Sequence, residues 1–343
     1  MKSFTAPDYC KDFACAASGC KNSCCIGWEI DIDKKTEKKY RKIKGELGRD
    51  LKEGIKNGTT VLCENGRCPF LRPDNLCRLI CELSEDGISD ICKLHPRYFN
   101  FTPYGIEWGI GASCEVAANL ILTGDERPSE SEQKVDGMPS GKKFSKENKK
   151  RWQSESKIRE KIYSFIFEKK VDNVTLVLSL VNYALKLKEY TLKLLCGVES
   201  DIPALDIVSD ADVFFAIKPV LAHFSGCEEL DEGYLSRLTL AQSRFFENAA
   251  VMTSLCNSAP ISRLLYYFYH RHFISVSEEW GLYEGCLTPL VFALSVIAFS
   301  DTGTDMSDLG LSSVGDPVRE ALLLFSRNIE YSTENTKIFG LSS

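Results

Sequence analysis

The chain has 343 residues, of which 44% are hydrophobic and 26% charged, and its net charge is −6. That length supplies enough apolar surface for one large domain or two ordinary ones. The acidic balance excludes a global basic field of the kind that draws a protein to nucleic acid or to an anionic membrane.

The first twenty-five residues contain no apolar run behind a basic start, so no secretory signal is expected and a cytoplasmic setting follows. In a reducing compartment cysteines remain thiols that bind metal or react. The total of fifteen, an odd number, also fits a complete disulfide framework poorly. Their distribution is uneven. Cys10, Cys15, Cys20, Cys24, Cys25, Cys63, Cys68, Cys77, Cys81, Cys92 and Cys114 precede residue 115, and only Cys196, Cys227, Cys256 and Cys286 follow it.

In chain order, the stretch Cys15-Ala-Ala-Ser-Gly-Cys20-Lys-Asn-Ser-Cys24-Cys25 comes first. Trp28 to Asp33 alternates apolar and acidic residues and predicts a short strand. Asp33 is placed to cap a helix whose apolar stripe is Tyr40, Ile43, Leu47, Leu51 and Ile55. The lysines that crowd its first turns, Lys34 to Lys44, read as a solvated face. A turn is expected at Glu64-Asn65-Gly66, and short helices over Arg78–Leu83 and Ile88–Leu94. Tyr98–Phe101 and Ile106–Ile110 predict a hairpin around Pro103-Tyr104-Gly105, after which Ser113 caps a helix that ends at Gly124. Residues 1–124 thus read as a small Cys-rich module with short hairpins and little core of its own, the kind that metal holds together.

Residues 125–150 are rich in Ser, Glu, Lys and Gly and read as a polar linker or surface loop. From 151 to 343 the pattern is helical throughout. Helices are expected near Asn173–Cys196, Val213–Phe224, Tyr234–Met252, Ser262–Ser275 and Leu282–Phe299. The Leu287–Phe299 core of the last of these is too short for a span of about 20 residues. A final helix starts at Asp316-Pro317. The fold class is α+β, mainly α: a Cys-rich metal-binding module followed by an all-α domain.

Four thiols within eleven residues need a shared role, and thiolate is the soft ligand that zinc and iron–sulfur sites select. The sequence lacks the paired Cys-x2-Cys knuckles of most zinc sites, and its irregular spacing favours iron–sulfur over zinc. Adjacent Cys24 and Cys25 serve either one cluster or two separate centres. A radical S-adenosylmethionine motif begins at Cys20-x3-Cys24 but fails at Gly27. His95 is a candidate mixed-site ligand, although an ordinary loop histidine is the simpler reading. His270 and His272, two apart on an aromatic-rich helix, face different sides and cannot readily chelate one metal. Gly109-Ile-Gly111 is a weak nucleotide fingerprint.

Phe13-Ala-Cys15, Cys20, Cys24-Cys25-Ile-Gly-Trp28, Cys68-Pro-Phe-Leu71, Cys77-Arg-Leu, Cys92 with Pro96-Arg97, and Ser113-Cys114-Glu-Val-Ala-Ala together resemble the flagellin lysine-N-methylases. That family lies within a wider group of zinc- or iron-chelating proteins with a Cys-x(n)-Cys-x(n)-Cys-Cys signature. The likeness is strongest over residues 10–124 and looser through the helical half. It implies metal ligands at Cys15, Cys20, Cys24, Cys25, Cys68, Cys77, Cys92 and Cys114, with a 4Fe-4S cluster as occupant and zinc as the alternative. It also implies S-adenosylmethionine as methyl donor and flagellin as the protein substrate, with no role for nucleic acid or membrane. Tyr98, Tyr104, Trp108, Tyr266 and Tyr269 are candidates to surround the transferring methyl group, though nothing in the sequence selects among them. Two further readings stand beside the enzyme: a non-catalytic metal-binding interaction protein and an iron–sulfur redox sensor.

Overall fold

The computed structural model describes residues 3–140, 143–209, 213–301 and 316–341. Strand β1 (Ser3–Pro7) leads into the cysteine-rich segment. The Trp28–Asp33 stretch does not form the expected strand. It makes a single bridge, Asp31 to Thr59, because the segment it meets is only two residues of strand and cannot extend a ladder.

Asp33 does cap helix α1 (Lys34–Tyr40), accepting from the Thr36 amide. The helix expected to run on to Ile55 is split instead. Gly45, with φ +77°, takes a left-handed turn that an L side chain resists, and α2 (Gly45–Gly54) starts there on a new axis. The apolar stripe survives the break. Tyr40, Leu47 and Leu51 are buried with Ile32, Phe70, Leu79 and Ile88 in a small satellite core. Asn57-Gly58, at φ +53° and +84°, joins β2 (Ile55–Lys56) to β3 (Thr59–Thr60). Asn-Gly with both residues left-handed is the favoured two-residue hairpin turn.

Helices α3 (Arg78–Leu83) and α4 (Asp90–Leu94) are as short as expected. Strands β4 (Arg97–Thr102) and β5 (Gly105–Ile110) pair antiparallel across Pro103-Tyr104. Helix α5 (Glu115–Leu122) starts one residue later than expected, with Cys114 rather than Ser113 at its N-cap, and Gly124 follows it at φ +88°. Within the polar stretch after α5, Glu130–Glu132 forms β6 against β1. The four-stranded sheet has the order β4-β5-β1-β6, with β1 parallel to β5.

The remainder is helical: α6 (Lys146–Glu168), α7 (Asn173–Leu195), α8 (Val213–His223), α9 (Tyr234–Glu247), α10 (Ala249–Ser258), α11 (Ile261–Trp280), α12 (Leu282–Ser300), α13 (Pro317–Phe325) and α14 (Thr333–Ile338). Several of their starts follow side-chain caps. Ser145 and Asn148 form a capping box on α6, and Asp172 caps α7. Asp316 with Pro317 opens α13, as the sequence indicates. Among the described residues α12 alone is long and apolar enough to cross a membrane, and 89% of its apolar window is buried within the protein. It packs against α7, α9, α11 and α13. Ile106, Trp108 and Ile110 of β5 share one core with these helices, so the sheet rests on the bundle.

Candidate metal centre

All fifteen cysteines are free thiols. The structure sorts the eight motif cysteines by their backbone neighbours. In the first set, the amides of Lys21 and Asn22, just after Cys20, donate to the Glu115 carboxylate at 3.1–3.2 Å. Glu115 is the first residue of α5, so this clamp brings Cys20 beside Cys114. Burial pushes the Cys20 thiol up to about 12, and negative charge on Glu115, Cys114 and Cys15 acts in the same direction. Cys24 lies within electrostatic reach of Cys15 and Cys114. Burial also raises Cys114, partly offset by the Ala117 and Val116 amides at the start of α5.

In the second set, the Cys25 carbonyl accepts from the Cys68 amide at 2.8 Å, and Ile26 bridges Arg67. A turn from Cys68 to Leu71 and a bridge from Leu71 to Cys77 carry Cys77 to the N-cap of α3. The Asp90 amide donates to Asp33 at 3.1 Å, which ties α4 and its Cys92 to the start of α1. Cys68, Cys77 and Cys92 each lie within electrostatic reach of Cys25. Burial drives Cys68 to about 12 and Cys92 to about 11. Buried Tyr40 sits against Cys92, Cys77 and Cys68, and its hydroxyl has no hydrogen-bond partner.

The two sets meet at the adjacent pair. The two thiols act on each other: Cys25 raises Cys24, while Cys24, with Ser23 and Arg67, lowers Cys25 to about 7. Cys15, Cys20, Cys24 and Cys114 thus form one group, and Cys25, Cys68, Cys77 and Cys92 the other. Among the described residues, no three His, Cys, Asp or Glu side chains are drawn into a ready ion-binding geometry. The donor chemistry nevertheless fits a thiophilic metal. Each group offers four unbridged sulfurs, the soft donor that a thiophilic metal selects.

Of the other cysteines, Cys81 lies one turn after Cys77, its amide donating to the Cys77 carbonyl at 3.1 Å, and within electrostatic reach of that thiol. Cys10 is buried near Ile110, while Cys63 and Cys81 are exposed. Cys256 and Cys286 are buried core residues, Cys227 is half-buried, and Cys196 is exposed at the end of α7.

Next to the thiols lies an aromatic junction. Trp28 donates through Nε1 to the Cys24 carbonyl at 2.5 Å and stacks on Tyr331, with centroids 5.9 Å apart. His95 packs beside both, 6.4 Å from Trp28 and 5.8 Å from Tyr331. Its Nε2 is enclosed without a hydrogen-bond partner, and burial, with Arg271 and Arg97 nearby, lowers its pKa to about 4. The two flagged glycines serve close packing. A Cβ on Gly109 would meet the Tyr98 ring, and one on Gly111 the Tyr331 hydroxyl.

The histidines of α11 do face different sides. His270 Nδ1 meets the Tyr98 hydroxyl at 2.8 Å, whereas His272 Nε2 meets Glu330 at 2.5 Å. Glu330 also accepts from Tyr267 and pairs with Arg271 at 3.2 Å. Burial opposes its ionisation, yet Arg271 and the His272 hydrogen bond hold it at about 2. The aromatic candidates for methyl transfer are committed elsewhere. Tyr98 bonds His270, Trp108 donates to the Gln133 carbonyl, Tyr266 to Glu130 and Tyr269 to the Cys286 carbonyl. Tyr104 is exposed beside Trp152 and accepts from Gln153.

Sequence reasoning passed over Glu107 on β5 and Arg159 on α6. They form a buried ion pair at 2.8 Å, and lying 52 residues apart they carry no local signature.

No protein-family model matches the chain, and no solved structure does. Curated relatives do. Over 141 residues, 38% of this chain, it is 28% identical to proteins named lysine-N-methylase from Salmonella choleraesuis and Salmonella typhimurium. The match spans 35% of the length of each. It is also 28% identical over 131 residues to a flagellar biosynthetic protein FliU of Salmonella muenchen, covering 34% of this chain and 76% of that one. The chain is a distant relative of the lysine-N-methylases.

Proposed function

We propose that the protein methylates lysine ε-amino groups on flagellin, with S-adenosylmethionine as donor and a cysteine-held metal centre in its N-terminal part. The relationship to proteins named lysine-N-methylase supports the reaction, and the name of the flagellar relative supports the substrate. The observation that carries the metal is the division of the eight motif cysteines into two neighbouring sets of four.

Iron–sulfur is the favoured occupant and zinc the alternative. Either, when bound, cross-links segments from residue 15 to residue 114, which hold a seven-residue satellite core beside the main one. Thiols release their protons as they bind metal, so the centre forms less readily in acid.

The transfer itself asks for a neutral amine. At neutral pH, deprotonating a lysine of pKa near 10.4 costs about 4–5 kcal/mol. The amine must also lie in line with the methyl group and its sulfonium.

The test is anaerobic purification with an absorption spectrum and iron, sulfide and zinc analysis, followed by transfer of labelled methyl groups to purified flagellin. A brown, iron- and sulfide-bearing protein that labels flagellin lysines supports the reading. A colourless zinc protein that labels nothing would sink the enzyme and leave a metal-stapled interaction module.

A further inference from the structure

Away from the cysteines, a cavity of about 440 Å³ opens between β5, the β6 segment and α6. Its size falls in the range of small-ligand sites, about 300–1,000 Å³. At its base lies the Glu107–Arg159 pair, 9% and 5% exposed. Only one atom of each side chain is used in that contact. Glu107 Oε2 and Arg159 Nη1 are buried without a hydrogen-bond partner, and so is the Tyr163 hydroxyl on the same wall. Buried polar atoms are paired in the great majority of cases, so an acceptor, a donor and a phenol all unmet at one cavity mark a built site. At the rim, Arg127 and Glu160 form a bidentate pair at 2.5 and 2.7 Å. The Arg127 and Arg159 guanidiniums lie 5.1 and 5.9 Å from the Tyr163 ring centroid.

The charges decide what fits. Glu107, Glu130 and Glu160 line the cavity together with Arg127 and Arg159, Glu107 paired with Arg159 and Glu160 with Arg127. A purely anionic ligand meets three carboxylates, and a purely cationic one meets two guanidiniums. A group carrying both signs a few ångströms apart meets both. We propose that this cavity binds the α-amino-acid end of a ligand, its carboxylate on Arg159 and Arg127 and its ammonium on Glu107 and Glu130. Under the methylase reading, on which the ligand's identity rests, that ligand is S-adenosylmethionine held by its methionyl moiety. Burial works against an ionised Glu107, yet the Arg159 charge and hydrogen bond hold it below the usual carboxylate range, so the anion is in place. His270, whose Nε2 is also unpartnered, lies within electrostatic reach of the same pair.

The experiment is calorimetric titration of the full chain, metal included, with S-adenosylmethionine, its decarboxylated analogue and L-methionine. It is repeated on Ser156→Trp, which fills the cavity from half-exposed α6, and on Arg127→Gln at the rim. The expected result is saturable S-adenosylmethionine binding, about tenfold weaker for the decarboxylated analogue, with a similar loss in both variants and unchanged metal content. Undiminished binding in both variants, and equal affinity for the decarboxylated analogue, would overturn the site while leaving the methylase reading intact. L-Methionine binding that the variants abolish, with no affinity for S-adenosylmethionine, would support the site and remove the methylase reading. No binding of any probe would overturn both.

Discussion

Tyr331 stacks on Trp28, so the residue that follows the last turn of the α13 segment closes over the loop carrying Cys24 and Cys25. The same phenol donates to the Pro96 carbonyl at 3.2 Å, and the Arg271 guanidinium lies 5.2 Å from its ring centroid. One side chain therefore joins the cysteine-rich part to the helices. Replacing it with alanine is expected to cost on the order of 3 kcal/mol and to speed metal loss to a chelator. Tyr331→Phe, which keeps the stack, is expected to retain most of both. Thermal unfolding and the chelation rate report the two effects, and equal chelation rates for Tyr331→Ala and the wild type would separate the junction from the centre.

The division of the thiols predicts a pattern in metal analysis. Cys20→Ser or Cys114→Ser is expected to remove one complement of metal and spare the other. Cys68→Ser or Cys77→Ser is expected to do the reverse. Cys63→Ser, outside both groups, should change neither. Loss of all metal from every motif variant would mean one shared centre.

Glu155 on α6 is 2% exposed, and one of its oxygens has no hydrogen-bond partner. Burial, against the attraction of Arg151, raises its pKa to about 7 from an ordinary 4.5. The folded value exceeds the unfolded one, so its contribution is most favourable below about 4.5 and is lost as pH rises through 7. Glu155→Gln is expected to raise stability at pH 8 by on the order of 1–3 kcal/mol and to leave it nearly unchanged at pH 5. Denaturant melts at the two pH values check this.

Glu330 has the opposite sign. Its pKa of about 2 lies below the ordinary 4.5, so the stability it confers is full above 4.5 and fades as pH falls towards 2. Glu330→Gln leaves Arg271 buried without its carboxylate and is expected to cost about 3–5 kcal/mol. Its acid-denaturation curve should also be flatter than the wild type's between those two pH values.

Local signals were the legible ones. Asp33 and Asp316-Pro317 announce helix starts because a cap needs only its own neighbours, and the stripe from Tyr40 to Leu51 is buried as its spacing indicates. The strand read at Trp28–Asp33 failed because alternation says which face is apolar and not whether a partner is long enough to form a ladder. At residue 114 the cysteine takes the cap that Ser113 was expected to hold, so a motif cysteine doubles as a helix start. Cys24 and Cys25 left one centre or two open, since spacing does not reveal which distant thiols each sulfur meets. The Glu107–Arg159 cavity was invisible for a related reason: it exists only once α6 lies across the sheet.

The placement of β1 between β5 and β6 sets a schedule for the growing chain. Ser3 pairs with Gly105 and Pro7 with Glu130, so β1 finds neither partner until more than a hundred residues have followed it. At about 5–20 residues per second, β1 waits on the order of 5–20 s for β5 with its backbone groups unpaired. Through that interval the cysteine loops emerge ahead of Cys114, and a four-thiol group that needs Cys114 stays one sulfur short. Sheet closure and completion of that group therefore await the same stretch of chain.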